Sequence, residues 1–138
     1  MIIGQIKDGI VIDHITAGKG MALYNFLGLD KIDCQVALIK NADSVKMGKK
    51  DIIKIDRVIE LDLDALGYLD PGATVNIIED SKIAKRYATI LPERVENVIK
   101  CKNPRCITTV EQELPNIFTL RDKENRVYRC LYCESKAK

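Results

Sequence analysis

Four cysteines are the residues of this chain best suited to chemistry: Cys101 and Cys106 in CKNPRC, Cys130 and Cys133 in CLYC. Spaced as C-x4-C and C-x2-C, with 23 residues between the pairs, they can close a tetrahedral four-sulfur site. Short loops would present two sulfurs from one side, and a β-hairpin would return the second pair from the other. Four thiolates leave no open coordination position for a catalytic water, so such a site is structural. Nothing nearby suggests redox work, which favours one zinc ion over an iron centre or disulfides, and in a reducing compartment paired cysteines are more often metal ligands than disulfides. The fifth cysteine, Cys34, sits near Val36 and Leu38 and reads as a small buried hydrophobe rather than a reactive thiol.

A second set of polar residues interrupts isoleucine-rich runs. In KKDIIKID, period-2 alternation sends Ile53 and Ile55 to one face of a strand and Lys50, Lys54 and Asp56 to the other. Two lysines in line suit a phosphate, or are simply a solvated strand face. Asp13 and the single histidine, His14, break the apolar run IVIDHI; buried, they need partners, and at a strand's exposed end they need none. Asn76 in TVNIIED repeats the pattern, and AKRY adds Lys85 and Arg86. Together such groups suit a nucleotide, with cations for phosphates, a carboxylate for ribose hydroxyls and backbone groups for the base. TAGKGM lacks the spacing of a Walker phosphate loop, so Gly18 and Gly20 read as helix-entry residues. The sequence offers no nucleophile and base pair and no paired carboxylates, and the chain reads as non-catalytic.

The elements that must position these residues follow from periodicity and turn signals. Positions 2–7 and 10–15 read as extended, divided by Asp8-Gly9, and GKGMALYNFLGL predicts a helix over 19–29. CQVALIKN and KDIIKIDRVI form a hairpin through ADSVKMGK, DLDALGYL is a second short helix ended by Asp70-Pro71-Gly72, and ATVNIIED and SKIAKRYA are again strands. This order is the split βαβ arrangement of an α+β fold, a ferredoxin-like antiparallel sheet with two helices on one face. Leu91-Pro92 begins a linker and a short helical turn. Beyond it the composition shifts to turn residues, charges and cysteines, placing a nucleotide-binding domain over 1–97 and a small zinc-bound β domain over 98–138. A tail this short needs a metal or disulfides to fold.

The whole chain has 138 residues and a net charge of +2, too little to argue for a nucleic-acid partner. No apolar run approaches the ~20 residues of a membrane span. The start MIIGQIKDGI lacks signal-peptide features, so a cytoplasmic location is expected.

GIVIDHI, MGKKDIIKID, ATVNIIED, LPERVENVIKCKNPRCI and YRCLYCE, taken in order over nearly the whole chain, closely resemble the regulatory chain of aspartate carbamoyltransferase. The resemblance implies a non-catalytic subunit of pyrimidine biosynthesis. One domain would sense CTP and ATP, a zinc domain would dock on catalytic trimers, and regulatory chains would pair as dimers. Carried over by residue, it implies a pocket with Ile6 and Val11 beside the base and Asp13 and Lys54 toward the ribose. His14, Lys50, Asn76 and Arg86 would lie toward the phosphates, with Ile78 and Ile83 lining the same pocket. The family commonly has lysine where Arg86 aligns, beside Lys85, and an aromatic where Ser81 aligns. A nucleic-acid-binding zinc ribbon of translation or transcription is the alternative reading of the cysteine module.

Overall fold

A computed structural model describes residues 6–111 and 113–137, and the chain falls into two compact units, 1–90 and 91–138. The division lies before the boundary that the composition shift suggests.

The first unit is an antiparallel sheet in the order β2-β3-β1-β4-β5. Its strands are β1 (Gly9–Thr16), β2 (Val36–Ser44), β3 (Gly48–Ile55), β4 (Thr74–Glu79) and β5 (Lys82–Ala88). Two helices, α1 (Gly20–Phe26) and α2 (Leu63–Leu69), complete it. The ferredoxin-like order is present, with β5 added as a hairpin beyond β4. The expected strand over 2–7 lies mostly outside the described residues. The first helix is shorter than its pattern, ending at Phe26 and giving way to a 3-10 turn over Leu29–Lys31. Asp62 caps α2, its carboxylate accepting from the Ala65 N–H at 3.1 Å.

The core lies on one sheet face. Ile10, Ile12 and Ile15 of β1, Ile53 and Ile55 of β3 and Val75 of β4 are buried with Leu23, Leu29 and Leu66; Cys34 packs at its edge. Period-2 alternation on β3 is therefore a real inside–outside alternation, as read, and β1 alternates likewise from Ile10 to Ile12. It is interrupted once on β1: pairing with β3 slips between Ile12 and Ile15, and His14 adopts φ 57°. This bulge inserts one residue, keeping Ile12 and Ile15 in the core while Asp13 and His14 between them stay half-exposed.

The second unit is a three-stranded antiparallel sheet, β6-β7-β8, of Arg94–Glu96, Ile117–Asp122 and Val127–Cys130, with a short helix α3 over Ile107–Val110. Here the expected helical turn after Leu91-Pro92 is corrected. Val95 pairs with Phe118, and Arg94 and Glu96 with Thr119 and Ile117, a long-range partner that local propensity cannot reveal. Val95, Phe118 and Tyr128 are its buried core, with the Tyr128 hydroxyl donating to the Pro92 carbonyl.

Candidate functional sites: a cysteine knot and a polar sheet face

Hairpin β7-β8 returns Cys130 and Cys133 to the loop that carries Cys101 and Cys106, and the four sulfurs all lie within 4.8 Å of one another. Cys101 and Cys133 Sγ are 3.6 Å apart, and Cys106 and Cys130 Sγ 3.7 Å. A tetrahedral ion with Zn–S bonds of ~2.3 Å requires sulfurs about 3.7–3.8 Å apart, close to the spacing of these two pairs, so the donor set fits zinc. Backbone N–H groups point at the sulfurs: Asn103 at Cys101, Tyr132 and Cys133 at Cys130, Ser135 at Cys133. Such donors hold thiolates in place around a metal.

Burial pushes the Cys101 thiol up to about 12 and that of Cys130 in the same direction. At Cys133 burial also raises the value, but the Ser135 hydroxyl and N–H outweigh it and bring it to about 6. A metal entering this set displaces protons, so its hold weakens in acid. When bound, the ion supplies charge neutralisation and cross-linking of the two loops.

Among the charged and polar residues around the knot, four large apolar side chains are exposed. Ile107 and Val110 on α3 are 49% and 71% exposed, and Leu131 and Tyr132, between the last two cysteines, 42% and 39%.

The first unit carries the second site, on the sheet face away from its core. Lys54 lies directly opposite Val11, Val11 opposite Asn76, and Asn76 opposite Arg86. Residues in direct register share a face, so these four make one row across β3, β1, β4 and β5. Asn76 is almost fully buried: its amide donates to the Val11 carbonyl at 3.4 Å and accepts from Arg86 Nε at 2.8 Å. Lys85 pairs opposite Ile77, which packs against the core. Arg86, not Lys85, therefore shares the face of Asn76.

A second row begins at the bulge. Lys50 Nζ is 3.0 Å from Asp13 Oδ1, and His14 Nδ1 is 3.1 Å from Thr74 Oγ1, with Thr74 opposite Asp13. Burial raises the Asp13 pKa, but the Lys50 ammonium and the His14 N–H lower it further, leaving it below the usual carboxylate value. At the other end Ile78 pairs with both Gly9 and Ile83, and Ile83 is 55% exposed. Ile6 is half-buried just before β1, and the adjoining Lys7 carbonyl accepts from the Ser81 N–H at 2.8 Å. The sheet thus brings Val11, Asp13, His14, Lys50, Lys54, Asn76 and Arg86 together, with Ile6, Ile78 and Ile83 toward the end where β4 turns into β5.

One buried charge escaped the reading of KKDIIKID. Asp51, on the core face of β3, is fully buried. Its Oδ2 accepts from the N–H groups of Gly18 at 3.1 Å and Gly20 at 2.9 Å, its Oδ1 from Asn41 at 2.9 Å. A Cβ on Gly20 would lie 2.8 Å from that carboxylate. The glycine-rich entry to α1 therefore has an internal anion, which explains why it need not cradle a phosphate. A charged residue within an apolar period-2 face was the available signal.

Residues 1–89 match the family pattern described as the aspartate carbamoyltransferase regulatory chain, allosteric domain. Residues 93–138 match the metal binding domain of the same chain. A protein of Clostridium botulinum named aspartate carbamoyltransferase regulatory chain is 53% identical over 134 residues, covering 97% of this chain and 92% of its own length. Like-named proteins of Clostridium tetani and Bifidobacterium longum are 52% and 42% identical, covering 97% and 100% of this chain and 94% and 99% of their own lengths.

Proposed function

The chain belongs to the aspartate carbamoyltransferase regulatory-chain family, a non-catalytic regulatory subunit, and on that premise we propose how its two sites divide the work. The polar sheet face binds CTP and ATP, and the zinc-bound unit docks on catalytic chains. The observation that carries this reading is the row Lys54, Val11, Asn76, Arg86 beside the Asp13–Lys50 pair. It sets cations at both ends of a strip made by Val11 and Asn76, with the Asp13 carboxylate beside it, an arrangement that suits a nucleoside triphosphate. Ile6 and Val11 flank the base, with Ile78 and Ile83 along the same wall. Asp13 and Lys54 face the ribose. Lys50, Arg86, Asn76 and His14 face the phosphates, which then compete with Asp13 for Lys50.

Docking falls to the exposed apolar residues at the cysteine knot, Ile107, Val110, Leu131 and Tyr132, because two metal-linked loops make a rigid base for them. A pair of regulatory chains fits a sheet that ends in two edge strands, β2 and β5, with β5 exposed throughout. A nucleic-acid-binding ribbon is not favoured: of the second unit's three aromatics, Phe118 and Tyr128 are each 2% exposed, leaving Tyr132 alone accessible for base stacking. Among the described residues no helix is long and apolar enough to cross a membrane.

Regulation is tested on the complex with catalytic chains by paired titrations. CTP binding is measured with and without succinate, an unreactive dicarboxylate analogue of aspartate, and succinate binding with and without CTP. Linkage requires the two affinity changes to be equal factors; tight CTP binding with no coupling in either direction would leave this chain a scaffold. Lys54→Ala is expected to weaken CTP and ATP about ten- to a hundredfold, the equivalent of losing a charge-assisted hydrogen bond worth ~1.5–3 kcal/mol. Unchanged calorimetric affinity would remove Lys54 from the pocket.

A further inference from the structure

We propose that Asp70 is a positioning residue that links the effector face to the point where the chain leaves the first unit; this rests on the reading that the face binds nucleotide. The Asp70 side chain sits at the end of α2 and is only 2% exposed as a residue. A buried carboxylate needs strong donors, and both of its oxygens are taken by one residue, Thr16. Oδ2 accepts from the Thr16 N–H and Oδ1 from the Thr16 hydroxyl, each at 2.7 Å. Thr16 is the last residue of β1 and pairs directly with Lys50, whose ammonium holds Asp13. A ligand that draws Lys50 away from Asp13 acts on the strand pair to which Thr16 belongs.

The backbone of the same turn grips the other end of the unit. The Asp70 carbonyl accepts from the Thr89 hydroxyl at 3.2 Å, and the Ala73 carbonyl accepts from the same hydroxyl and from the Thr89 N–H, both at 2.9 Å. Gly72 N–H donates back to the Thr89 carbonyl at 3.3 Å. One residue on, the Ile90 carbonyl oxygen lies 1.9 Å from where a Cβ on Gly67 would stand, so α2 and the exit segment meet backbone to backbone. Ile90 is the last residue of the unit. The turn after α2 is thus clamped to the end of β1 by a side chain and to the exit by main-chain bonds. Only the first clamp depends on residue 70 being an aspartate.

A role in holding the fold would show in affinity or melting; a role in transmission shows in the coupling factor. The variants are Asp70→Asn, which keeps shape but sets an amide against a donor, and Thr16→Val, which removes only the hydroxyl. Each is assembled with catalytic chains, and CTP is titrated with and without succinate. The expected result is CTP affinity without succinate within about threefold of wild type, and a coupling factor reduced about two- to thirtyfold, the range over which such intermediates modulate coupling. Wild-type coupling in both variants overturns the proposal, as does weakened CTP binding with coupling intact. Should Asp70→Asn fail to fold, Thr16→Val decides alone. A wild-type complex without coupling overturns the regulatory reading and this inference together, whereas coupled wild type with equally coupled variants overturns only the inference.

Discussion

Cys130→Ser is expected to release the metal and abolish association with catalytic chains while the first unit stays folded. Cys130 is fully buried, 3.7 Å from Cys106 and held by two backbone N–H groups. Serine reaches less far and is a poor ligand for a soft site. Outside the knot the second unit has a small core, chiefly Val95, Ile117, Phe118 and Tyr128, so metal binding supplies most of its folding free energy, on the order of 10–16 kcal/mol for such sites. The first unit has its own core of isoleucine, leucine and valine, and should keep its far-ultraviolet dichroism and its CTP binding. Metal content and sedimentation with catalytic chains are the measurements. A variant that assembles at wild-type affinity would show that the knot is not the connector.

Asp51→Ala should be the most damaging single change in the first unit, costing about 3–5 kcal/mol. Three backbone N–H groups lose a charged acceptor, each such bond being worth ~1.5–3 kcal/mol, with part of the loss offset because a buried charge is also removed. Against a total stability of ~5–15 kcal/mol this is a large fraction, and denaturant melts of the first unit would read it directly. The effect depends on pH. Burial raises the Asp51 pKa, but the N–H groups of Asn41, Gly20 and Gly18 outweigh it and depress the folded value below the usual one. Its stabilisation is therefore complete above the unfolded carboxylate pKa of ~3.9 and fades as pH falls through the lower folded value. Wild type and Asp51→Ala should differ fully at neutral pH and converge in acid; a gap that does not narrow would mean the carboxylate charge is not what binds the three amides.

The residues that period-2 patterning exposes were legible without coordinates. Isoleucines at 53 and 55 turn inward and lysines at 50 and 54 do not, because strand geometry fixes the alternation. The cysteine spacing likewise carried the metal site, since ligand geometry constrains loop length. Three features were not legible. Strand β6 exists only because Val95 meets Phe118, 23 positions away, and nothing local in PERVEN demands it. Asp51 falls on the apolar face of β3 by alternation, but nothing local in KKDIIKID supplies the partners it needs there; its burial follows from amides donated by two other segments. The Asp70 clamp was hidden because DPG reads as a turn whatever its side chain holds. In each case the deciding partner is remote in sequence, which is where single-chain pattern reading loses its physical basis.

The bulge that carries His14 makes this protein convenient to observe by proton NMR. There is one histidine in the chain and no tryptophan, so the carbon-bound ring protons of His14 are the sole imidazole signals, resolved without isotopic labels. Because φ 57° at that residue sets the ring beside Thr74 rather than in the core, those signals report on the same strand face as Asp13 and Lys50. A phosphate arriving there would move the Hε1 resonance, which lies downfield of the ring protons of the chain's five tyrosines and two phenylalanines.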